Sequence, residues 1–288
     1  MPLQPRTVAV VGAGTMGHGI AQAAAMAGFV THLYDNAPGA VDAALARVRA
    51  DLEAGVERGK LDAEVRDLAL GSLYAAPALR DAVHAAEVVI EAVPEQLALK
   101  TELFARLGLH APDEAILASN TSALSVSRLA AVTRRPERVL GLHFFNPVPR
   151  MRLVEVVRAD ATSDATLSAA IAFVRALGKQ PIVVSDTPGF ASSRLGVVLG
   201  LEAMRMLEQG VAEPAEIDRA MELGYHHPVG PLRLSDLIGL DVRLAIAEHL
   251  HRELGGEQYR APEILRRLVA EGKLGRKSGE GFYRWDER

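Results

Sequence analysis

Apolar residues along the chain follow two alternating spacings. Short β-branched runs predict strands, and longer stretches with apolar positions every three or four residues predict helices. Thr7–Val11 (TVAVV) is the first run and stops at a glycine loop. An alanine-rich helix, GHGIAQAAAMAG, follows and is ended by Gly28. Val30–Tyr34 (VTHLY) is a second strand with Asp35 at its carboxyl end, so the chain opens on a strand–helix–strand unit with parallel neighbours. Ala40–Arg58 is long, charged and helical in period. With Asp62–Leu70, after a turn at Gly59, it predicts a helical hairpin that projects from the sheet. Alternation then resumes, with strands at Glu87–Glu91, Ala115–Ala118 and Val139–Phe144 and helices at Gln96–Leu107 and Ser125–Ala130. Arg152–Val157 reads as an antiparallel return, and a helix near Ser163–Leu177 leads to a strand at Pro181–Ser185.

After Asp186 the strand pattern ends. TPGF opens a helical segment, and Leu201–Gln209, Pro214–Leu223, Leu240–Leu254 and Pro262–Glu271 all read as helices. The fold class is therefore α/β: a Rossmann-like domain over residues 1–187 with a helical hairpin insertion, then an all-helical domain over 188–288. With 49% hydrophobic residues in 288, the chain builds its core without external staples. A formal net charge of -4 argues against a nucleic-acid partner held through phosphates. The absence of cysteine excludes disulfides, thiolate metal sites and cysteine nucleophiles. No leader or long apolar segment precedes the first strand, so the expectation is a cytoplasmic protein with no membrane partner.

The glycine loop is Gly12-Ala13-Gly14-Thr15-Met16-Gly17. G-x-G-x-x-G by itself is a weak signal, but here it follows a strand and opens a helix, as dinucleotide binding requires. Gly12 permits the tight turn, Gly14 lets the backbone approach a pyrophosphate, and Gly17 allows close helix–strand packing. The helix N-terminus offers N–H groups and partial positive charge to the anion. Asp35 has the spacing of the residue that binds the adenosine ribose hydroxyls, and its charge repels a 2′-phosphate, so the expected cofactor is NAD.

Two further stretches carry candidate chemistry. SNTSALS (Ser119–Ser125) ends an apolar strand, where its hydroxyls either hydrogen-bond a substrate oxygen or cap the next helix. HFFNPVPRMRLVEV (His143–Val156) places one histidine and one glutamate inside apolar runs on either side of a proline-studded turn. A turn centred on Pro149 sets residue 143 opposite residue 155, with Cβ atoms about 5 Å apart. Such a pair either satisfies itself in a core or holds a general base ready, and a nicotinamide site nearby favours the base. The remaining histidines suggest no metal site. His226 and His227 lie at a helix end, and His249 and His251 do not face one ion.

Together VGAGTMGHGIAQ, Asp35, EAVPEQLALK, SNTSALS, HFFNPVPRMRLVEVV, DTPGF and GRKSGEGFY resemble the L-3-hydroxyacyl-CoA dehydrogenase family, and the stand-alone bacterial 3-hydroxybutyryl-CoA dehydrogenases within it. The resemblance spans nearly the whole chain. It implies an acyl-CoA substrate, NAD as cofactor and a homodimer formed through the helical domain. It implies that His143 is the catalytic base, that Glu155 orients it, that Ser122 binds the substrate's C3 oxygen, and that Asn146 lies near nicotinamide and substrate. Glu95 and Lys100 match the family's cofactor-contacting pair, and Lys277 matches a lysine reaching the cofactor from the second domain. CoA contacts come from the hairpin, where Arg58 and Lys60 are the nearest cations. One position departs from the pattern: DTPGF-x-x-N-R becomes DTPGFASSR, with Ser193 in place of asparagine. Serine loses the amide's reach and second donor, which implies a weaker grip on the substrate or a slightly different substrate. Two alternatives stand beside the family reading: a dehydrogenase of a CoA-free 3-hydroxy acid, as in related enzymes, and an NAD-binding dimer with weakened catalysis, which Ser193 favours.

Overall fold

The computed structural model describes residues 7–285. The residues before Thr7, on which the expectation of no leader rests, lie outside the described ones. The chain divides into two units, Met1–Thr187 and Pro188–Arg288.

The first unit runs β1 (Thr7–Val11), α1 (Thr15–Met26), β2 (Val30–Tyr34), α2 (Ala40–Glu57), α3 (Ala63–Gly71), β3 (Leu73–Ala75), α4 (Leu79–Val83) and β4 (Val88–Glu91). It continues α5 (Leu97–His110), β5 (Ile116–Ser119), α6 (Val126–Ala130), β6 (Val139–Phe144), β7 (Leu153–Arg158), α7 (Asp164–Ala176) and β8 (Gln180–Ser185). The strands form one eight-stranded sheet in the order β3-β2-β1-β4-β5-β6-β7-β8. Neighbours from β3 to β6 are parallel; β7 returns antiparallel to β6 and pairs in parallel with β8. The chain leaves β1 toward β2 and β3, then comes back to β4 on the other side of β1. At such a reversal the crossovers diverge and open a crevice at the carboxyl ends of the strands.

The central strands are buried on both faces, which is why β4 reads VVIE with no exposed position. Ala44, Val48 and Leu52 form one stripe of α2, four residues apart, and with Ala69 of α3 they join the core cluster that contains Ala21, Ala24 and Ala25 of α1. The hairpin is thus anchored against α1. Two elements were not anticipated from the pattern, β3 and α4. At three and five residues, they are too short to develop a period.

The second unit contains α8 (Ser192–Glu208), α9 (Pro214–Tyr225), α10 (Pro231–Ile238), α11 (Leu240–Leu254) and α12 (Glu263–Ala270). Its core includes Val197, Leu201, Met204, Ile217, Leu232, Leu240 and Leu250. Helix α8 joins the helical segment opened by TPGF to the expected Leu201–Gln209 and runs through Gly196 and Gly200 without a break. Glycine in a helix interior costs about 1 kcal/mol relative to alanine, so these two positions need a reason. Helix α10 was also unforeseen, because HHPVGP before it reads as loop. His226 closes α9 in the left-handed region, with φ 57°.

A carboxylate staples the C-terminal segment to this unit. Asp236, 1% exposed, accepts the backbone N–H of Phe282 (3.0 Å), the backbone N–H of Tyr283 (2.9 Å) and the indole N–H of Trp285 (2.9 Å). The Tyr283 hydroxyl donates to Asp218 (2.7 Å), which also accepts the first N–H groups of α10 from Leu232 and Arg233. Asp236→Ala strands three donors and is expected to lower the unfolding free energy by about 2–3 kcal/mol in denaturant titrations. A loss below about 0.5 kcal/mol would mean the staple is dispensable.

Candidate active site

The glycine loop leaves β1 and turns into α1 within three residues. Gly12 has φ +107°, and a Cβ on it would stand 2.6 Å from the carbonyl oxygen of Ala92. A Cβ on Gly17 would stand 1.7 Å from the carbonyl oxygen of Gly12, so helix and strand meet only because both residues are bare. Gly14 has nothing within 4 Å of where a side chain would begin, and its backbone face is open. That face lines a cavity of about 580 Å³ with Gly12, Thr15, Met16, Asp35 and Asn36. The Asp35 carboxylate accepts N–H groups from Ala13 (2.7 Å) and Ala37 (2.8 Å), which fixes it at the cavity edge. A closely approachable helix N-terminus, a fixed carboxylate and this volume fit a dinucleotide. Leu79, Leu99 and Arg106 complete the cavity wall. They come from α4 and α5, and only Leu99 falls within a motif read from sequence, EAVPEQLALK.

Beyond β4 and β5 lies a polar network. Glu91 is fully buried and Lys100 is 1% exposed. The Lys100 ammonium gives its three donors to Glu91 (2.6 Å), Glu95 (3.2 Å) and the carbonyl of Val93 (3.3 Å). The other oxygen of Glu91 accepts the Ser119 hydroxyl at 2.6 Å. Glu95 accepts from the Thr121 hydroxyl (2.5 Å), the Ser122 N–H (2.9 Å) and the Ser122 hydroxyl (3.3 Å). Burial pushes the Glu95 carboxyl up, but the Lys100 charge and the Thr121 and Ser122 hydrogen bonds outweigh it and hold the group below the ordinary carboxylate value. Lys100 therefore acts through Glu95, with no donor left for a ligand in this arrangement.

Of the two tasks weighed for SNTSALS, the helix cap is the one the structure displays. Ser125 caps α6 by accepting the N–H of Arg128, and Asp186 accepts from Ser125, Val126 and Ser127. Thr121 braces the loop through the N–H groups of Ala123 and Leu124. Ser122 is left as the hydroxyl poised beside Glu95.

His143 and Glu155 are direct partners in the β6–β7 ladder. Their Nδ1 and Oε2 atoms are 2.7 Å apart, with Glu155 0% and His143 7% exposed. With Nδ1–H donated to the carboxylate, the lone pair that takes a proton is on Nε2. Phe145 lies against the imidazole, with ring centroids 4.5 Å apart. The Phe144 N–H donates to Asn120 (2.9 Å), tying the end of β6 to the loop after β5. The turn between the strands contains a cis Asn146–Pro147 peptide. It is held by Lys179, which donates to the carbonyls of Val148 (2.6 Å) and Met151 (2.8 Å). Burial draws the Lys179 ammonium below the usual lysine value. An imidazole held in this way by a buried carboxylate can serve as an acid–base group.

A model of the 3-hydroxyacyl-CoA dehydrogenase NAD binding domain matches residues 7–187, and a model of the C-terminal domain of 3-hydroxyacyl-CoA dehydrogenase matches residues 189–285. The chain belongs to the 3-hydroxyacyl-CoA dehydrogenase family. A probable 3-hydroxybutyryl-CoA dehydrogenase of Bacillus subtilis is 46% identical, covering 99% of each chain. The 3-hydroxybutyryl-CoA dehydrogenase of Mycobacterium tuberculosis (strain H37Rv) is 45% identical over 96% of this chain and 97% of its own. The crystal structure of (S)-3-hydroxybutyryl-CoA dehydrogenase from Ralstonia eutropha matches with a TM-score of 0.94 at 42% identity, covering 98% of this chain and all of that one. Membership of the 3-hydroxyacyl-CoA dehydrogenase family makes the chain an NAD-dependent oxidoreductase, and its NAD-binding unit is the one with the glycine loop.

The other residues singled out in this dehydrogenase fall into two groups. Asn146, Arg58 and Lys60 line a second cavity of about 780 Å³ with Thr15; His18, Gln22 and Arg150, to which no role was assigned from sequence, line it too. Gln22 is 4% exposed, and its Oε1 has no hydrogen-bond partner. Ser193 and Lys277 belong to the second unit. Ser193 is in the first turn of α8, and the Lys277 ammonium meets the Asp241 carboxylate at 2.5 Å.

Proposed function

We propose that the chain interconverts L-3-hydroxyacyl-CoA and 3-ketoacyl-CoA, with 3-hydroxybutyryl-CoA as a substrate. The observation that carries this reading is the buried His143–Glu155 pair, 2.7 Å apart, in the same sheet as a dinucleotide-sized cavity. NAD supplies the hydride acceptor. In the oxidative direction His143 takes the C3 hydroxyl proton on Nε2 as the C3–H bond breaks. Glu155 balances the imidazolium that forms, and the Ser122 hydroxyl donates to the C3 oxygen as it gains negative charge. Glu95, held by Lys100, positions Ser122 and serves the nicotinamide half of the cofactor. Asn146 orients the thioester, and Arg58 and Lys60, joined by Arg150, take the CoA phosphates. The three cations around one cavity favour a CoA ester over a free acid.

The working form is a cytoplasmic homodimer with no membrane or nucleic-acid partner. Its second unit carries exposed apolar side chains suited to pairing: Leu195, Leu223 and Tyr225 are 72%, 69% and 74% exposed. No described helix is long and apolar enough to cross a membrane.

Acetoacetyl-CoA is expected to drive NADH oxidation, followed by absorbance. NADPH should serve at least about 100-fold less well, because Asp35 repels its 2′-phosphate. Faster turnover of free acetoacetate than of its CoA ester would assign the chain to CoA-free acids. NADH that binds but is never oxidised would make it a binding protein, the reading that Ser193 favours.

A further inference from the structure

Lys179 is a buried cation without a carboxylate partner. It is 7% exposed, and burial is the one influence on its proton affinity, with no neighbouring anion to offset it. Its ammonium meets the carbonyls of Val148 and Met151 instead, at 2.6 and 2.8 Å. Burying a charge costs free energy unless its donors are used, so these two contacts need a purpose.

The segment from Asn146 to Arg152 is poor in donors. Pro147 and Pro149 have no N–H, and the N–H groups of Arg150 and Met151 both turn back to the Pro147 carbonyl, at 3.0 and 3.1 Å. The Val148 and Met151 carbonyls therefore look outside the turn for a donor. The pairing of β7 with β8 supplies one. Leu153 stands beside Gln180, and the Gln180 N–H donates to the Arg152 carbonyl at 2.7 Å, which brings Lys179 to the turn that precedes β7. The other side of the turn rests on α1. A Cβ on Gly19 would stand 3.0 Å from the Cβ of Val148, which is 2% exposed. The turn is thus held between a bare position of α1 and a buried ammonium. The two carbonyls flank Pro149 and Arg150, and Arg150 lines the second cavity with Arg58 and Lys60.

We propose that Lys179 is a positioning residue for the substrate: by tying the carbonyls on either side of Arg150, it sets where that guanidinium meets the CoA portion of the thioester. This rests on the reading above, in which the second cavity takes the CoA phosphates. No residue of the turn lines the dinucleotide cavity, so the effect belongs to the substrate and not to NAD. A turn displaced by about 1 Å carries Arg150 with it, and misplacement of that size can cost up to about 100-fold in rate.

The test compares NADH oxidation by acetoacetyl-CoA and by acetoacetyl-N-acetylcysteamine, which carries the same acyl group on a thioester without phosphates. The wild-type protein is expected to favour the CoA ester by at least about 10-fold in kcat/KM, because binding energy from the remote part of a substrate is used at the reacting centre. Lys179→Met keeps the stem and removes the donors. It should raise the KM for acetoacetyl-CoA about 10-fold, with kcat/KM on the truncated ester and the Kd for NADH both within about threefold of wild type. Added to Arg150→Ala, it should cost less than about a further twofold, since both changes remove one contact. Gly19→Ala pushes the turn from the α1 side with the ammonium intact and should also lower the CoA preference, so the idea stays testable if the lysine variant does not fold. An equal loss on both esters, a lower melting temperature with the CoA preference intact, or losses that multiply with Arg150→Ala would make Lys179 a structural clamp and overturn the proposal. An unchanged preference in Gly19→Ala overturns it as well. A wild-type protein that turns over both esters alike, or neither, overturns the CoA reading of the cavity, and the positioning role with it.

Discussion

Glu155→Gln is expected to lower turnover by about 10²–10⁴-fold while NADH affinity stays within about twofold. Glutamine preserves the shape of the side chain and removes its charge. Whichever amide atom faces Nδ1, the imidazolium formed on proton transfer loses its counter-charge, and a facing NH2 would also select the wrong tautomer. Because Glu155 is fully buried, no water replaces the missing charge. The cavity that fits the dinucleotide is lined by the ends of β1, β2 and β4 and by α4 and α5, with no residue of β6 or β7, so cofactor binding should be spared. Stopped-flow turnover and NADH fluorescence titration separate the two quantities. Unchanged turnover would remove His143 from the role of base, and a matching loss of NADH affinity would make the pair a structural one.

The second large effect concerns stability. Lys100→Met removes the counter-charge from Glu91 and is expected to cost about 3–5 kcal/mol, as when one member of a buried ion pair is deleted. The loss should be specific to the charge left behind. Glu91→Gln combined with Lys100→Met should recover more than about 1 kcal/mol of it, a coupling measurable as a double-mutant cycle. Additive losses in the cycle would mean that the pair is not coupled. The single variant should also loosen Ser122, since Glu95 loses the partner that holds its second oxygen.

The parts of the fold that were legible in the sequence share a cause. β1, β2 and β6 are fully patterned by burial, and the observed bounds of β1, β2, β6 and α11 coincide with those read from periodicity. The facing of His143 and Glu155 followed from a proline turn and the two-residue period of strands. Where reading failed, the determinants lay elsewhere in the chain. β3 is a strand because β2 offers it a ladder, and only Leu73 of its three residues is buried. The continuity of α8 was hidden by Gly196 and Gly200, which lie against Arg243, more than forty residues away. Lys179 looks like an ordinary surface cation in sequence, and Lys100 stands out only by its family match; the hydrogen bonds of both depend on carbonyls and carboxylates brought close by the sheet. The site was legible where its chemistry sits on one loop or one hairpin, as at Gly12–Gly17. The second cavity was not, because α1, the hairpin and the Asn146 turn each supply only part of it.

The reversal of β7 against β6 has a consequence for how this chemistry is inherited. The proposed base, His143, and its carboxylate, Glu155, are twelve residues apart and meet inside one hairpin, so bringing them together costs little loop-closure entropy. The Glu91–Ser119 contact, by contrast, spans twenty-eight residues and a helical crossover. The proton-handling pair is therefore portable: a single exchange of Val139–Arg158 between family members would transplant both groups and their register at once. Recombination can reshape the pockets on either side of that segment without ever separating an imidazole from its carboxylate.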